Sequence, residues 1–360
     1  MHSIQLSIVI PTYQSERTVE RAILSALSIK SDAVEVIVVN DGSLDGTHRI
    51  LDRLAAQDSR LIIISQNNSG RSAARNKGVE VASGKWIMFL DSDDYLIESA
   101  FPYVLERCEN SNSPLVVFGM IANGGQCRLV ESEHDTGRSF MMPASYLVKR
   151  MIEEYSFDYI KESWRYEINA AWARLYRRDL LLSLIVKSEG FFGPFPLYLR
   201  FSEDRLFNIA YLRLLEQQSV EFMPVDLYYW NYEGSQTCGS LHDDDASSIV
   251  VFNNIVLHMV EMGIINFDES NYLIAREVIS QFQRLAKLAK GFESTLVREY
   301  TKLFCHSDYT RAVRSVPSHS YCCSLFWTIV GWFIGHGFAR SIFIVCKLAF
   351  YTKKTLRIAN

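Results

Sequence analysis

Asp91, Asp93 and Asp94 crowd into one four-residue stretch, DSDD, directly after the apolar run 86–90. Like charges at that spacing repel one another unless a cation sits among them. A hard divalent ion answers that need, since Mg²⁺ takes one or two protein carboxylates and fills its shell with substrate phosphates and water. The alternative is an acidic turn in which Ser92 or Asp94 caps a following helix. A second acidic pair, Glu203-Asp204, precedes the helical pattern of Leu206, Ile209 and Leu212. Taken alone, this pair reads as the capped start of a helix.

Several other chemistries are excluded. The eight histidines are scattered, with no H-x₃-H or H-E-x-x-H pair, and no G-x-S-x-G surrounds a serine. G-x-G-x-x-G is absent after every strand candidate. The nearest approach to a Walker A loop, Gly78 through Gly84-Lys85, is one residue too long and has Trp86 where Ser or Thr is required. A phosphorylated ligand would therefore have to be held by carboxylates and a metal.

The elements that must position these groups are legible in the first hundred residues. Apolar, β-branched runs at 4–10, 34–39, 61–64 and 86–90 alternate with helical patterns at 18–28, 47–57 and 72–82. Strands without polar alternation, separated by amphipathic helices, predict a parallel sheet covered on both faces. Ligands of such sheets bind at the carboxyl ends of the strands. Those ends carry Pro11-Thr12-Tyr13, Asn40-Asp41-Gly42-Ser43, the loop 66–70 and the acidic turn 91–94. Residues 110–240 are less regular and rich in aromatics, and helical periodicity returns over 246–305 with Val250, Val251, Ile255, Val256 and Met259 on one stripe.

Four ordered motifs carry a resemblance: Ser7 to Tyr13 (SIVIPTY), Val38 to Ser43 (VVNDGS), Asn68 to Gly78 (NSGRSAARNKG) and Phe89 to Asp94 (FLDSDD). Together they resemble the family 2 inverting glycosyltransferases, which include many bacterial polysaccharide and lipopolysaccharide enzymes. The resemblance implies an α/β fold of GT-A type, a mostly parallel central sheet with helices on both faces, here with a C-terminal helical extension. It implies four regions: a nucleotide-sugar-binding half (1–100), an acceptor-binding half with the base (101–240), a helical region (241–308) and a tail (309–360). It also implies that Pro11, Thr12 and Tyr13 line the base and ribose, that Asp41 accepts hydrogen bonds from the uracil or ribose edge, and that Arg71 and Arg75 lie by the diphosphate. Gly70 and Gly78 would permit close backbone approach there. Asp91 would contact ribose or metal and Asp93 would ligate the metal, Mn²⁺ or Mg²⁺. Phe201 to Phe207 (FSEDRLF) resembles the family's Glu-Asp motif, so Asp204 would be the general base and Glu203 would orient it or meet the acceptor. Three positions depart from the family: Gln14 stands where Asn is usual, the Gln common after the first helix is missing from 27–30, and Ser202 stands where Gly is common.

Three further segments are ambiguous. Residues 172–178 (WARLYRR) fit either a family stretch or a strand and helix start with a solvated basic turn. Residues 229–237 (YWNYEGSQT) fit either a lid over the nucleotide or an aromatic hairpin. Residues 281–285 (QFQRL) approximate the Q-x-x-R-W element of processive synthases with Leu for Trp, and read better as the surface of a helix. Transfer of a single sugar is expected.

Composition bounds the partners. The 360 residues carry a net charge of −4 and a pI near 6.1, against a dedicated nucleic-acid binder. Seven cysteines without C-x-x-C argue against disulfides or a zinc ribbon. The first strand candidate reaches Pro11 too soon for a signal peptide, so a cytoplasmic location is expected. After Asp308 no acidic residue occurs, while Arg340, Lys347 and Lys354 recur every seven positions beside the apolar stretches 325–334 and 338–350. A helix lying on an anionic membrane at its cytoplasmic face is the expectation, with a membrane span or a buried helical hairpin as alternatives. The expected partners are thus a nucleotide-sugar donor, probed first as UDP-linked, a lipid-linked glycan acceptor and the membrane surface. A nucleotidyltransferase lacks its phosphate loop here, and an inactive scaffold is disfavoured by the intact Asp91, Asp93 and Asp204.

Overall fold

The structure, a computed structural model, describes residues 3–122, 138–153, 166–187, 193–231, 245–288 and 295–316, with positions 330, 333, 334, 336–339 and 343 beyond. These fall into two compact units, one drawn from 1–148, 159–198 and 203–235, the other from 149–158, 199–202 and 236 onward.

The first unit opens with β1 (Leu6–Thr12), α1 (Val19–Leu27), β2 (Val34–Asn40), α2 (Thr47–Ala55), β3 (Leu61–Ser65), α3 (Arg71–Val81) and β4 (Trp86–Phe89). Every residue of β1, β2 and β4 is buried, which explains their lack of polar alternation. The four strands pair in the order β3-β2-β1-β4, all parallel. The chain continues through β5 (Tyr95–Leu96), α4 (Phe101–Asn110), β6 (Leu115–Ala122), β7 (Phe140–Pro143), α5 (Ala144–Glu153), β8 (Arg174–Arg177), α6 (Arg178–Lys187), α7 (Glu203–Leu214) and β9 (Ser219–Trp230). Beyond β4 the sheet runs β8-β6-β9-β5, with β7 also on β9. β8 lies antiparallel to both β4 and β6, and β9 is parallel to β6. The parallel arrangement expected from the first hundred residues thus holds over four strands, and the sheet as a whole is mixed.

Helices cover both faces. On one, Ile8, Ile10, Val36 and Val38 share a core with Ala22, Ile23, Leu51, Leu54 and Val104. On the other, Phe89 packs edge-on against Phe195 at 5.0 Å, and Phe195 stacks on Phe207 of α7 at 4.0 Å. There α3 lies so close to β1 that a Cβ at Gly78 would stand 2.2 Å from Val9 Cγ1. The approach that Gly78 permits is therefore to the sheet, and not to a phosphate as the resemblance implies.

The second unit contains α8 (Asp245–Glu261), α9 (Phe267–Leu288), α10 (Thr295–Phe304) and α11 (Ser307–Ser315). Of the expected stripe on α8, Ile255, Val256 and Met259 are buried while Val250 is exposed. Gln281 is not on a helix surface: it is buried, and its Nε2 donates to Glu277 Oε1 at 2.7 Å, whose other oxygen accepts from Ser202 Oγ at 2.6 Å. Burial follows from its neighbours Phe282 and Leu285, which anchor the same stretch of α9 in the core. Among the described residues no helix is long and apolar enough to cross a membrane. In the tail, Val330, Ile334, Ala339 and Phe343 are buried, and the Phe343 ring meets Phe282 at 6.1 Å. Arg340, Lys347 and Lys354, the basis of the membrane expectation, lie outside the described residues.

Gly78→Ala forces a methyl into Val9, and overpacking of this kind costs about 1–3 kcal/mol. The urea midpoint should fall accordingly, and pairing the change with Val9→Ala should recover much of the loss.

Candidate active site

The site grows from the loop between β3 and α3. Asp41, at the end of β2, is buried, and its Oδ1 accepts from Gln66 Nε2 and Ser69 N, each at 2.8 Å. Its Oδ2 accepts from Gly70 N at 2.8 Å. Gly70 sits at φ +90°, a conformation that favours glycine. Asp41, expected to face a nucleotide edge, also accepts hydrogen bonds on both oxygens from the loop that leads into α3. That anchoring fixes where Arg71 and Arg75 emerge, one helical turn apart. Gln66, which shares the work, carried no motif signal.

Arg75 is fully buried. Its Nη2 donates to Asp91 Oδ1 and its Nη1 to Asp204 Oδ1, both at 2.6 Å. Glu203 Oε1 lies 3.6 Å from the same Nη1 and is itself ion-paired with Arg71. The guanidinium also lies over the Phe195 ring, 5.1 Å from its centroid. Burial alone would weaken this cation, but the charges of Asp204, Asp91 and Glu203 raise its pKa instead. Burial likewise opposes ionisation of Asp91, yet the Arg75 and Arg71 guanidiniums hold its carboxyl below the usual carboxylate range. The five residues that sequence motifs placed in three separate segments thus form one ionic cluster.

The rest of the acidic turn has different partners. Neither Ser92 nor Asp94 caps a helix, since β5 follows directly. Ser92 Oγ pairs with Ser15 Oγ at 2.8 Å. Asp94 Oδ2 accepts from the Tyr228 hydroxyl at 2.6 Å, and its Oδ1 from Asn231 N at 2.7 Å. The Tyr228 hydroxyl in turn accepts from Asp91 N at 3.2 Å. Burial and then the Asp91 charge push the Asp94 carboxyl up to about 8, and the same two causes push Asp93 up to about 6. Beyond the turn, 232–237 of the possible lid lie outside the described residues.

At the end of β1, Pro11 and Thr12 are buried and Tyr13 is exposed. The Thr12 hydroxyl is buried without a hydrogen-bond partner. Two of the three family departures fall on left-handed backbone: Gln14 at φ +51° and Ser202 at φ +63°. Asn and Gly, the residues they replace, tolerate that region best. Ser43 Oγ accepts from Gln14 N at 2.9 Å and helps to hold it there.

Among the described residues no cluster of three or more His, Cys, Asp or Glu side chains could hold a metal. A pair of carboxylates completed by substrate phosphates is a different donor set, and Asp91 with Asp93 fits it. The oxygen-only chemistry suits Mg²⁺ or Mn²⁺, and the repulsion that raises Asp93 is what a cation would relieve.

Asp204 is positioned by a second buried residue, Asn208, one turn further along α7. Asn208 Oδ1 accepts from Arg174 Nη1 at 2.9 Å and the Tyr176 hydroxyl at 2.8 Å. Its Nδ2 donates to the carbonyls of Asn169 and Ala170 at 2.9 and 3.0 Å. These bonds lock α7 to β8 and to the segment whose Ala171 N–H reaches Asp204 Oδ2 at 3.3 Å. Arg174, which the sequence allowed to be a solvated basic turn, is buried for this purpose.

An α/β sheet with four polar strand ends, an acidic turn and a facing carboxylate pair is the architecture of a nucleotide-sugar transferase of GT-A type. The crystal structure of S. aureus TarS 1–349 in complex with UDP-GlcNAc shares this fold, with a TM-score of 0.63, 17% identity, and coverage of 97% of this chain and 92% of that one. Residues 7–185 match the Glycosyl transferase family 2 model, and through this domain the chain belongs to that family. It is also 29% identical over 228 residues to the uncharacterized glycosyltransferase EpsJ of Bacillus subtilis (strain 168), covering 62% of this chain and 60% of EpsJ. It is 30% identical over 161 residues to the succinoglycan biosynthesis protein ExoO of Rhizobium meliloti (strain 1021), covering 43% and 46%. The chain thus spans about 60% of the length of the first of these relatives.

Asn208→Leu leaves the Arg174 and Tyr176 donors without their buried acceptor, at about 1–3 kcal/mol for each unsatisfied group. Thermal unfolding should shift down by several degrees, whereas a change at exposed Glu216 should leave it in place.

Proposed function

We propose that the protein transfers a single sugar, with inversion, from a UDP-sugar to a glycan acceptor in bacterial cell-surface polysaccharide synthesis. The observation that carries this reading is the ionic cluster that joins the acidic turn to Asp204 through Arg75. The cluster brings the Asp91 carboxylate close to Asp204, which supports a donor site lying beside the base. A relative named for succinoglycan biosynthesis, ExoO, supports the biological setting.

In this reading the exposed Tyr13 ring stacks on the nucleotide base, and Pro11 and the unpartnered Thr12 hydroxyl meet the nucleoside. Asp93, with the second oxygen of Asp91, holds a divalent ion, Mg²⁺ or Mn²⁺, which when bound neutralises the diphosphate. Arg71, the more exposed arginine, adds positive charge beside it. Asp204 takes the acceptor hydroxyl proton as the new bond to the anomeric carbon forms and the bond to the diphosphate oxygen breaks. Glu203 faces Arg71 and orients the pair. A lipid-linked acceptor at the cytoplasmic face of a membrane is the setting to which the basic tail points.

Two variants test these roles. Asp93→Asn should weaken UDP binding in the presence of Mn²⁺ by tenfold or more in calorimetry, and unchanged affinity and metal dependence would remove Asp93 from the site. Asp204→Asn should keep UDP affinity while transfer falls about 10²–10⁴-fold. Wild-type turnover from that variant would shift the base elsewhere, with Glu203 next to be examined.

A further inference from the structure

We infer that Arg75 is a positioning residue, which fixes the base Asp204 relative to the donor-side carboxylate Asp91, and is not a phosphate ligand. The inference rests on the transferase reading above and assigns Arg75 a different place from the diphosphate contact that the family resemblance implies.

Three observations converge on it. Both terminal nitrogens of Arg75 are occupied at 2.6 Å by carboxylates from different elements, the turn after β4 and the first turn of α7. The side chain is only 1% exposed, whereas Arg71, on the preceding turn of α3, is 39% exposed. Phe195 closes one face of the guanidinium, and Nε is buried without a partner. A phosphate could reach Arg75 only by displacing one of its carboxylates, while Arg71 is open to one. A planar guanidinium has the fork geometry to hold two carboxylates at once in fixed directions, and a lysine ammonium, a compact point charge, does not. The two arginines therefore divide the work: Arg71 meets the donor and Arg75 sets the spacing between donor site and base.

The division predicts different kinetics for the two conservative variants. In Arg75→Lys, UDP affinity measured with Mn²⁺ should stay within about threefold of wild type, and so should KM for the UDP-sugar that the wild-type protein turns over. The kcat should fall by about 10²-fold, the penalty typical of a misplacement near 1 Å. Arg71→Lys should show the converse, with weakened UDP binding. Loss of UDP affinity in Arg75→Lys equal to that in Arg71→Lys would overturn the inference while the transferase reading stood. Wild-type protein that binds no nucleoside diphosphate would remove both. Should Arg75→Lys not fold, a crystal structure of the wild-type protein with UDP and Mn²⁺ decides. Arg75 still bridging Asp91 and Asp204 supports the inference, and Arg75 turned onto a phosphate oxygen overturns it.

Discussion

A guanidinium shut away from water among three carboxylates is the constraint on which the site depends. An isolated buried charge is too costly to persist, and Arg75 is tolerable only because Asp91, Asp204 and Glu203 converge on it. The dependence runs both ways, since those carboxylates could not crowd together without it. Removing one partner of such a buried pair typically costs about 3–5 kcal/mol. The cluster therefore couples the stability of the first unit to the geometry of its chemistry. It also explains why an aromatic group, Phe195 with Phe89 and Phe207, lies beneath a polar site: the rings exclude water and strengthen the ion pairs above them.

Around this cluster each functional segment is held by a buried polar residue whose hydrogen bonds fix its position. Asp41 anchors the start of α3, Asn208 anchors α7 and Tyr228 with Asp94 anchors the acidic turn. Each anchor uses its hydrogen bonds on backbone groups or on side chains of another strand, so each costs little desolvation and gives a defined position. The sheet supplies the ends at which they work. β1, β2 and β4 are parallel and buried, and their carboxyl ends deliver Tyr13, Asp41 and Asp91 to the same edge.

The first half of this arrangement was legible in the sequence because its signals are local. Apolar runs marked β1, β2, β3 and β4, and three intervening periodic stretches marked α1, α2 and α3. What escaped was set by partners far along the chain. A strand and helix start was one reading of 172–178, and β8 with α6 follows it, but the burial of Arg174 depends on Asn208, 34 residues later. Asp41 belongs to a motif, but its motif does not say that Gln66, Ser69 and Gly70 would take both its oxygens. Gly78 signalled close approach without saying to what. Gln281 looked solvent-facing because a single polar side chain on a helix usually is, and its partner Glu277 is tied in turn to Ser202, 75 residues away. At Gln14 and Ser202, conversely, the departures from the family coincide with positive φ, so the sequence flagged the positions while the structure supplied the reason.

The account's central claim is that this sheet edge activates a nucleotide-linked sugar with the help of a divalent ion. The most direct measurement is release of nucleoside diphosphate by the wild-type protein from a panel of UDP-, GDP- and dTDP-sugars, with Mn²⁺ and again after EDTA. No acceptor is needed, because slow hydrolysis reports the donor. The account predicts release from a UDP-sugar that EDTA abolishes and added Mn²⁺ restores. Release that ignores EDTA, or a preference confined to GDP- or dTDP-sugars, would contradict it.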